Sequence, residues 1–405
     1  MKTIKLHHPL INTVQEGLEN IFQEGSYADK EVQKIIRSKK QFGSKDRAFI
    51  AETIYDIVRW KNNYQQIISS LNLLTTSWKP FIFISLLKRG YSILNPEVLD
   101  INIHSLTPGN PPINTISDAR ISFPEWLDKH CLQELGEAWN EIAGALHEPA
   151  KVYIRTNTLK TNTKQLLEAL HAEEIEAIAV STKIGSVYIK DCIEIRSKNN
   201  LRNSTLYANG WFEFQDIGSQ AIGLFCGVRS DYTVLDLCAG AGGKTIQLSA
   251  LMQNKGMIYA TDFNENRLVN LEKRMIQAGC KNIKIISYAE AKKIKELDVL
   301  LIDAPCSGLG TIKRHPDLKW KLKEEHINNY ISIQQELLEE HKDQIKKSGQ
   351  IIYATCSILP SESEDQIKKF LRNNTGFSLQ EEIRIQPNEY SCDGFYLSSL
   401  IKNKS

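Results

Sequence analysis

No stretch of this 405-residue chain is both apolar and uncharged over the length a bilayer demands, so no membrane-spanning helix is expected. The opening residues, Met-Lys-Thr-Ile-Lys-Leu-His-His-Pro, lack the apolar core of a secretory signal. The 8 cysteines are scattered without zinc-type pairs, which points to no metal and to reduced thiols of a cytoplasmic protein. A net charge of +2 is too small to demand a polyanionic partner, so any basic surface must be local. Internal repeats and low-complexity tracts are also missing. What is present, 41% hydrophobic and 24% charged residues, is the composition of an ordinary globular protein long enough for two or three domains.

The most informative stretch is Val299-Leu-Leu-Ile-Asp303-Ala-Pro-Cys306-Ser-Gly-Leu-Gly310. Its apolar run reads as a strand buried on both faces of a parallel sheet. Pro305 cannot continue a ladder, so an acid and a thiol arrive together at a strand end. In open α/β sheets that edge is where ligands bind. A buried, inert cysteine is the plain alternative, since cysteine is commonly buried. Gly349-Gln-Ile-Ile-Tyr-Ala-Thr-Cys356-Ser repeats the shape, and Pro360 with the Ser361-x-x-Glu364 pattern then opens a helix. Neighbouring parallel strands would bring Cys306 and Cys356 to one rim.

Along the chain, residues 1–140 read as all-helical, with Leu10, Val14, Leu18, Ile21 and Phe22 at helical spacing, as are Phe49, Ile50, Ile54, Ile57 and Val58. Arg37, Lys39, Lys40, Lys45, Arg47, Arg59 and Lys61 form either a solvated helix face or a phosphate-contacting patch. Pro108, Pro111, Pro112 and Pro124 suggest a linker or an irregular crossing from Leu106 to Pro124. Residues 148–214 change to a small α+β module: a strand at Lys151–Asn157, a helix at Leu166–Ala172, and strands at Ser186–Ile189 and Cys192–Ile195. Arg155 and Asn157 are candidates to face RNA, against the default of ordinary strand-surface residues. From Gln215 to 405, strands and helices alternate as in a parallel sheet with helices on both faces. Phe377–Glu381 and Gly394–Leu400 finish it as an antiparallel pair.

The first strand of that third part, Thr233–Leu237, leads into Cys238-Ala-Gly240-Ala-Gly242-Gly243-Lys244-Thr245, where glycines let a ligand approach the backbone. A phosphate loop would need glycine five positions before Gly243, and Cys238 stands there. A dinucleotide fingerprint fails at Thr245. A nucleoside cofactor without a pyrophosphate remains, and S-adenosylmethionine matches it. Asp262, about 20 residues past the turn, is placed to bind a ribose hydroxyl pair.

Asp236-Leu-Cys-Ala-Gly-Ala-Gly-Gly-Lys-Thr, Asp303-Ala-Pro-Cys-Ser-Gly-Leu-Gly and Tyr353-Ala-Thr-Cys-Ser together resemble the motifs of the NOP/Sun family of RNA cytosine-5 methyltransferases. Gln215-Asp216, Ser219-Gln220, Arg314-His315-Pro316-Asp317 and Asp393-Gly-Phe-Tyr extend the match. It covers the chain from about residue 145 onward, including Arg155-Thr-Asn157. The front half resembles the NusB-like RNA-binding domain of the RsmB/Fmu branch. The implied fold is α/β: a class I S-adenosylmethionine-dependent methyltransferase, Rossmann-like with a seven-stranded, mostly parallel sheet. An RRM-like α+β module and an N-terminal all-helical NusB-like domain precede it.

The resemblance implies roles for individual residues. Cys356 is the nucleophile that adds to carbon 6 of cytosine, making carbon 5 reactive. Asp303 stabilises charge at the ring nitrogen, and Cys306 assists proton loss and release. Cys238, Ala239, Gly240, Gly242, Gly243, Lys244, Asp262, Arg267, Glu290 and Asp303 line the cofactor site. One departure is that the family usually places an Asp where this chain has Ala289-Glu290. The base must leave its stack to reach the pocket. Small-subunit ribosomal RNA is the implied substrate and transfer RNA the alternative, with the protein acting as a monomer away from membranes. A DNA cytosine methyltransferase uses a Pro-Cys nucleophile and has no need of Thr-Cys. A catalytically silent RNA-binding protein of ribosome assembly has no need of either cysteine.

Overall fold

The computed structural model describes residues 2–73, 76–101, 118–197 and 201–403. They divide into two units: Met1–Glu148 with Ile312–Lys323, and Pro149–Thr311 with Glu324–Ser405.

In the first unit, Leu10, Val14, Leu18 and Ile21 lay one apolar face along the helix His8–Phe22. They join Ile50, Ile54, Ile57 and Val58 of the helix Ser44–Ser70, and Ile82, Ile84 and Leu86 of Lys79–Lys88, in one core. Gly17 permits the close helix approach, since a Cβ there would lie 2.7 Å from Ile54 Cδ1. The expectation of a purely helical front half needs correction. β1 (Lys2–Ile4) and β2 (Tyr91–Ile93) form a parallel pair, each strand too short to display a period of two. The proline-rich stretch falls outside the described residues up to 117, and Pro124 N-caps the helix Glu125–Leu135.

The helix Ser44–Ser70 kinks at Trp60 (φ −112°, ψ 16°), and a kink frees carbonyls for other donors. Trp320 Nε1 donates to Val58 O and Lys319 Nζ to Arg59 O, both at 2.7 Å. These donors belong to Ile312–Lys323, so a segment remote in sequence completes the helical unit. Its Asp317 accepts from Ala28 N at 3.0 Å, satisfying the start of the helix Ala28–Ser38. Lys319 is fully buried, and burial and Arg59 push its pKa well below the lysine range. His147 Nδ1 donates to Ala143 O at 2.7 Å, leaving Nε2 to accept from Lys319 at 2.9 Å.

In the second unit, β3 (Val152–Thr156), β4 (Ala177–Ile184), β5 (Val187–Ile195) and β6 (Phe212–Phe214) form an antiparallel sheet in the order β4-β5-β3-β6. The helix Thr163–Ala172 covers one face through Leu166 and Leu170. The two short strands read at Ser186–Ile189 and Cys192–Ile195 are one continuous β5, and Gly185 (φ 56°) turns into it from β4. Arg155 and Asn157 do not face solvent. Arg155 lies on a central strand, where its Nε donates to Gln215 Oε1 at 2.6 Å and burial draws its pKa down to about 10. Asn157 Nδ2 donates to Gly210 O and Ala278 O at 2.7 and 2.8 Å. Both serve internal joints, with Arg155 Nη2 left buried and unpartnered.

β7 (Thr233–Asp236), β8 (Met257–Ala260), β9 (Ile283–Ile285), β10 (Leu297–Asp303), β11 (Ile345–Thr355), β12 (Phe377–Ile385) and β13 (Phe395–Lys402) build the larger sheet. Its order is β12-β13-β11-β10-β7-β8-β9, parallel from β11 to β9, with β13 and β12 antiparallel at one edge. Val299 and Leu301 join the core on one face with Ile222 and Leu248; Leu300 and Ile302 join the other with Leu338 and Phe370. That is why the run has no alternation. The chain leaves β7 for β8 on one side and returns to β10 on the other, so the switch point lies between β7 and β10. The helix Glu324–His341 precedes β11, which begins at Ile345. No helix among the described residues is long and apolar enough to cross a membrane.

Candidate active site

The reactive side chains stand at the carboxyl edge of β7, β8, β10 and β11. Asp303 pairs in register with Ala354, so the turns after β10 and β11 leave the sheet side by side. They bring Cys306 Sγ and Cys356 Sγ to 3.4 Å. Hydrogen bonding to Cys356, followed by burial, pushes the Cys306 thiol well above the cysteine range. Lys244, at the start of the helix Gly243–Leu251, sets its Nζ 2.6 Å from Asp303 Oδ2. Burial opposes the ammonium charge, but Asp303 outweighs it, and the net Lys244 pKa is raised.

The glycine turn follows β7. Gly240 (φ 54°) and Gly242 (φ 85°) take left-handed backbone that favours glycine, and a Cβ on Gly242 would sit 2.1 Å from Leu271 Cδ1. Asp262 lies two residues past β8 and holds the turn, with Oδ2 accepting from Gly240 N at 2.9 Å and Oδ1 from Asn264 N at 2.8 Å. Cys238, Ala239, Gly240, Gly243 and Lys244 remain partly accessible along this edge. Asp236 Oδ1 is buried without a partner, while Oδ2 accepts from Thr245 Oγ1 at 2.7 Å. An open glycine edge and a neighbouring acid suit a nucleoside ligand.

Three other sequence candidates fare differently. Arg267 is exposed in the short turn Glu265–Arg267. Glu290 is also exposed, and its carboxylate accepts from Ser287 N at 2.9 Å and Ser287 Oγ at 2.8 Å in a capping box. Of the basic run, Arg37, Lys40 and Lys45 are exposed, whereas Arg59 donates to His147 O and Lys313 O and Lys39 pairs with Glu16. The Ser361-x-x-Glu364 pattern makes no capping box; the helix Glu364–Asn373 follows a tight turn at Pro360–Glu362. Sequence reasoning missed Phe263, whose ring is 85% exposed beside Asp262, and Glu362, which is fully buried behind both cysteines. The signal for Glu362 was the serine that follows each cysteine. Among the described residues, no group of three or more His, Cys, Asp or Glu could hold a metal ion.

A mostly parallel seven-stranded sheet with this antiparallel edge and a glycine turn after its first strand is the Rossmann-like architecture of class I S-adenosylmethionine-dependent methyltransferases. A model described as "16S rRNA methyltransferase RsmB/F" matches residues 226–401, and one described as "Methyltr_RsmF/B-like, ferredoxin-like domain" matches residues 123–196. Ribosomal RNA small subunit methyltransferase B of Shewanella oneidensis is 30% identical over 313 residues, covering 73% of this chain and 70% of that protein. The chain belongs to the RsmB/F methyltransferase family. Its fold is shared by the crystal structure of PH0851 at 22% identity, TM-score 0.80, with both chains covered at 100%. NSun6 from Pyrococcus horikoshii, solved with SFG, matches at 21% identity and TM-score 0.61, over 70% of this chain and 99% of that one.

Proposed function

We propose that this protein is an RNA (cytosine-5)-methyltransferase that acts on small-subunit ribosomal RNA in the cytoplasm through a covalent Cys356–cytosine intermediate. The observation that carries the reading is the pair of sulfurs 3.4 Å apart beside the Lys244–Asp303 ion pair. The family membership and the relatives' names support that choice of substrate.

Carbon 5 of cytosine is a weak nucleophile until something adds to carbon 6. Cys356 sulfur forms that bond, the ring electrons move toward carbon 5, and Asp303 holds the proton at the ring nitrogen. S-adenosylmethionine, held by the Gly240–Lys244 turn and Asp262, supplies an electrophilic methyl group on a sulfonium sulfur. Hydrogen bonding to Cys356, with burial, holds the proton on Cys306 while the two sulfurs lie together. Bonding to carbon takes the Cys356 sulfur out of that hydrogen bond and so lifts the restraint on Cys306. Cys306 then releases its proton to solvent and accepts the one from carbon 5. As the carbon 5–carbon 6 double bond re-forms, the carbon–sulfur bond breaks and Cys356 leaves as thiolate.

The two cysteines are therefore separable. Cys306→Ala should attack and methylate but release slowly, accumulating a protein–RNA complex that survives denaturing gels and depends on S-adenosylmethionine. Cys356→Ala should form none. The reverse pattern would exchange the roles, and full methylation by both variants would remove the thiols from the chemistry. Mapping 5-methylcytosine in ribosomal and transfer RNA of a strain lacking the protein identifies the substrate.

A further inference from the structure

We propose that Glu362 is the positioning residue that fixes the separation of the two reactive sulfurs, acting through the serines that follow them. The inference rests on the two-thiol reading above. Glu362 Oε1 accepts from Ser307 N at 2.8 Å and from Gln334 Nε2 at 3.3 Å. Its Oε2 accepts from Ser307 Oγ and Ser357 Oγ, each at 2.5 Å. One carboxylate thus grips the residue after Cys306 and the residue after Cys356. The two hydroxyls lie 3.2 Å apart, close to the spacing of the sulfurs in front of them.

The carboxylate is in turn fixed. Glu362 is fully buried, and its backbone carbonyl accepts from Tyr353 Oη at 2.8 Å. Every group facing its side chain is a donor, and an ionised carboxylate is acceptor-only, so the match is complete only for Glu. An amide at this place must turn its NH2 toward donors on one side. The loops touch once more, where Gly310 N donates to Cys356 O at 2.9 Å. That bond ties backbones and leaves the side-chain end of each turn to Glu362. Glu362 touches neither thiol; it places Ser307 and Ser357, and its charge adds to what holds the Cys306 thiol up.

Phenylarsine oxide tests the spacing without any methyl transfer. It takes up two thiols with loss of water and resists excess monothiol only when both sulfurs can reach one arsenic. The full-length protein should retain the arsenical, and Cys306→Ala should not; retention by Cys306→Ala equal to that of the unaltered protein would overturn the proposal. Glu362→Gln should keep S-adenosylmethionine affinity while losing arsenical retention and turnover, each by about tenfold or more. Retention of the arsenical by folded Glu362→Gln, with or without loss of turnover, would overturn the proposal. So would lost retention at full turnover. If Glu362→Gln does not fold, Ser357→Ala carries the same comparison, with the same outcomes deciding. Failure of the methyltransferase reading would abolish turnover differences and leave the arsenical difference in place.

Discussion

Replacing Asp262 by Ala should damage cofactor binding and the glycine turn together, by separable amounts. The carboxylate is only 4% exposed and accepts two backbone N–H groups, from Gly240 at 2.9 Å and Asn264 at 2.8 Å. Hydrogen bonds to a charged group contribute about 1.5–3 kcal/mol each when buried. Gly240 and Asn264 both reach solvent, so water recovers part of that. The expected loss of stability is therefore about 1–3 kcal/mol for the pair. Two of the roughly four acceptor positions on the carboxylate remain free for ribose hydroxyls. Removing the ribose interaction costs a further 1.5–3 kcal/mol or so, about 10–100-fold in affinity. Calorimetric titration with S-adenosylhomocysteine and with its 2′-deoxy analogue separates the two effects. The unaltered protein should discriminate between the ligands, and Asp262→Ala should bind both equally, which is the signature of a missing pairwise interaction. If Asp262→Ala melts lower yet still prefers the hydroxylated ligand as strongly, the acid is a structural cap and the ribose assignment falls.

Other expectations concern the helical unit and the turn. Replacing Arg37, Lys40 and Lys45 with Gln should weaken RNA binding and lower the salt slope by about one for each phosphate no longer neutralised, at constant cofactor affinity; an unchanged slope makes them a solvated face. Burial, then Lys319, hold the His147 pKa well below 6.5. The unfolded chain therefore takes up a proton that the folded unit refuses, and stability present above about pH 6.5 is lost as pH falls. Urea unfolding of the intact protein between pH 7.5 and 5 should show this, and His147→Gln should flatten the dependence; equal slopes would refute it. Gly242→Ala forces a Cβ to 2.1 Å from Leu271 Cδ1 at φ 85° and should lower the melting temperature, with Leu271→Ala restoring part of it. No restoration would mean that backbone strain alone is responsible.

The larger sheet was legible because its strands carry their signal in consecutive residues. Val299 to Ile302 alternate between two cores, and such a strand shows as an unbroken apolar run. β4 escaped because Ala177, Ala179 and Ser181 on one face dilute the apolar signal of Ile178, Val180 and Ile184 on the other. Arg155 misled because a guanidinium on a strand usually faces water; here Gln215, an equally inconspicuous residue, receives it. No local pattern could place Ile312–Lys323 within the helical unit, since its partners are carbonyls exposed by a kink. At Ser361-x-x-Glu364 the pattern was visible but two residues off. Glu362 turns inward to the serines and Glu364 pairs with Arg384, so the carboxylates serve tertiary contacts that outweigh the helix end.

The same sheet edge gathers four acids, and their partners decide which one can handle a proton during the reaction. Asp236 is sealed beneath the turn, where burial raises it to about 7 and Thr245 occupies one oxygen. Asp262 is committed to backbone donors on two sides. Glu362 is closed in by serines and Gln334. Asp303 alone among them combines a partly open side chain with a cationic partner on a flexible stem, Lys244 at 2.6 Å. An ammonium there can compensate the carboxylate while cytosine is absent and shift as the ring gains charge. Backbone amides and buried hydroxyls cannot follow a proton in that way. On the proposed function, the division of partners makes Asp303 the acid expected to meet the base, and it leaves the other three to hold the cofactor turn and the two sulfur loops in place.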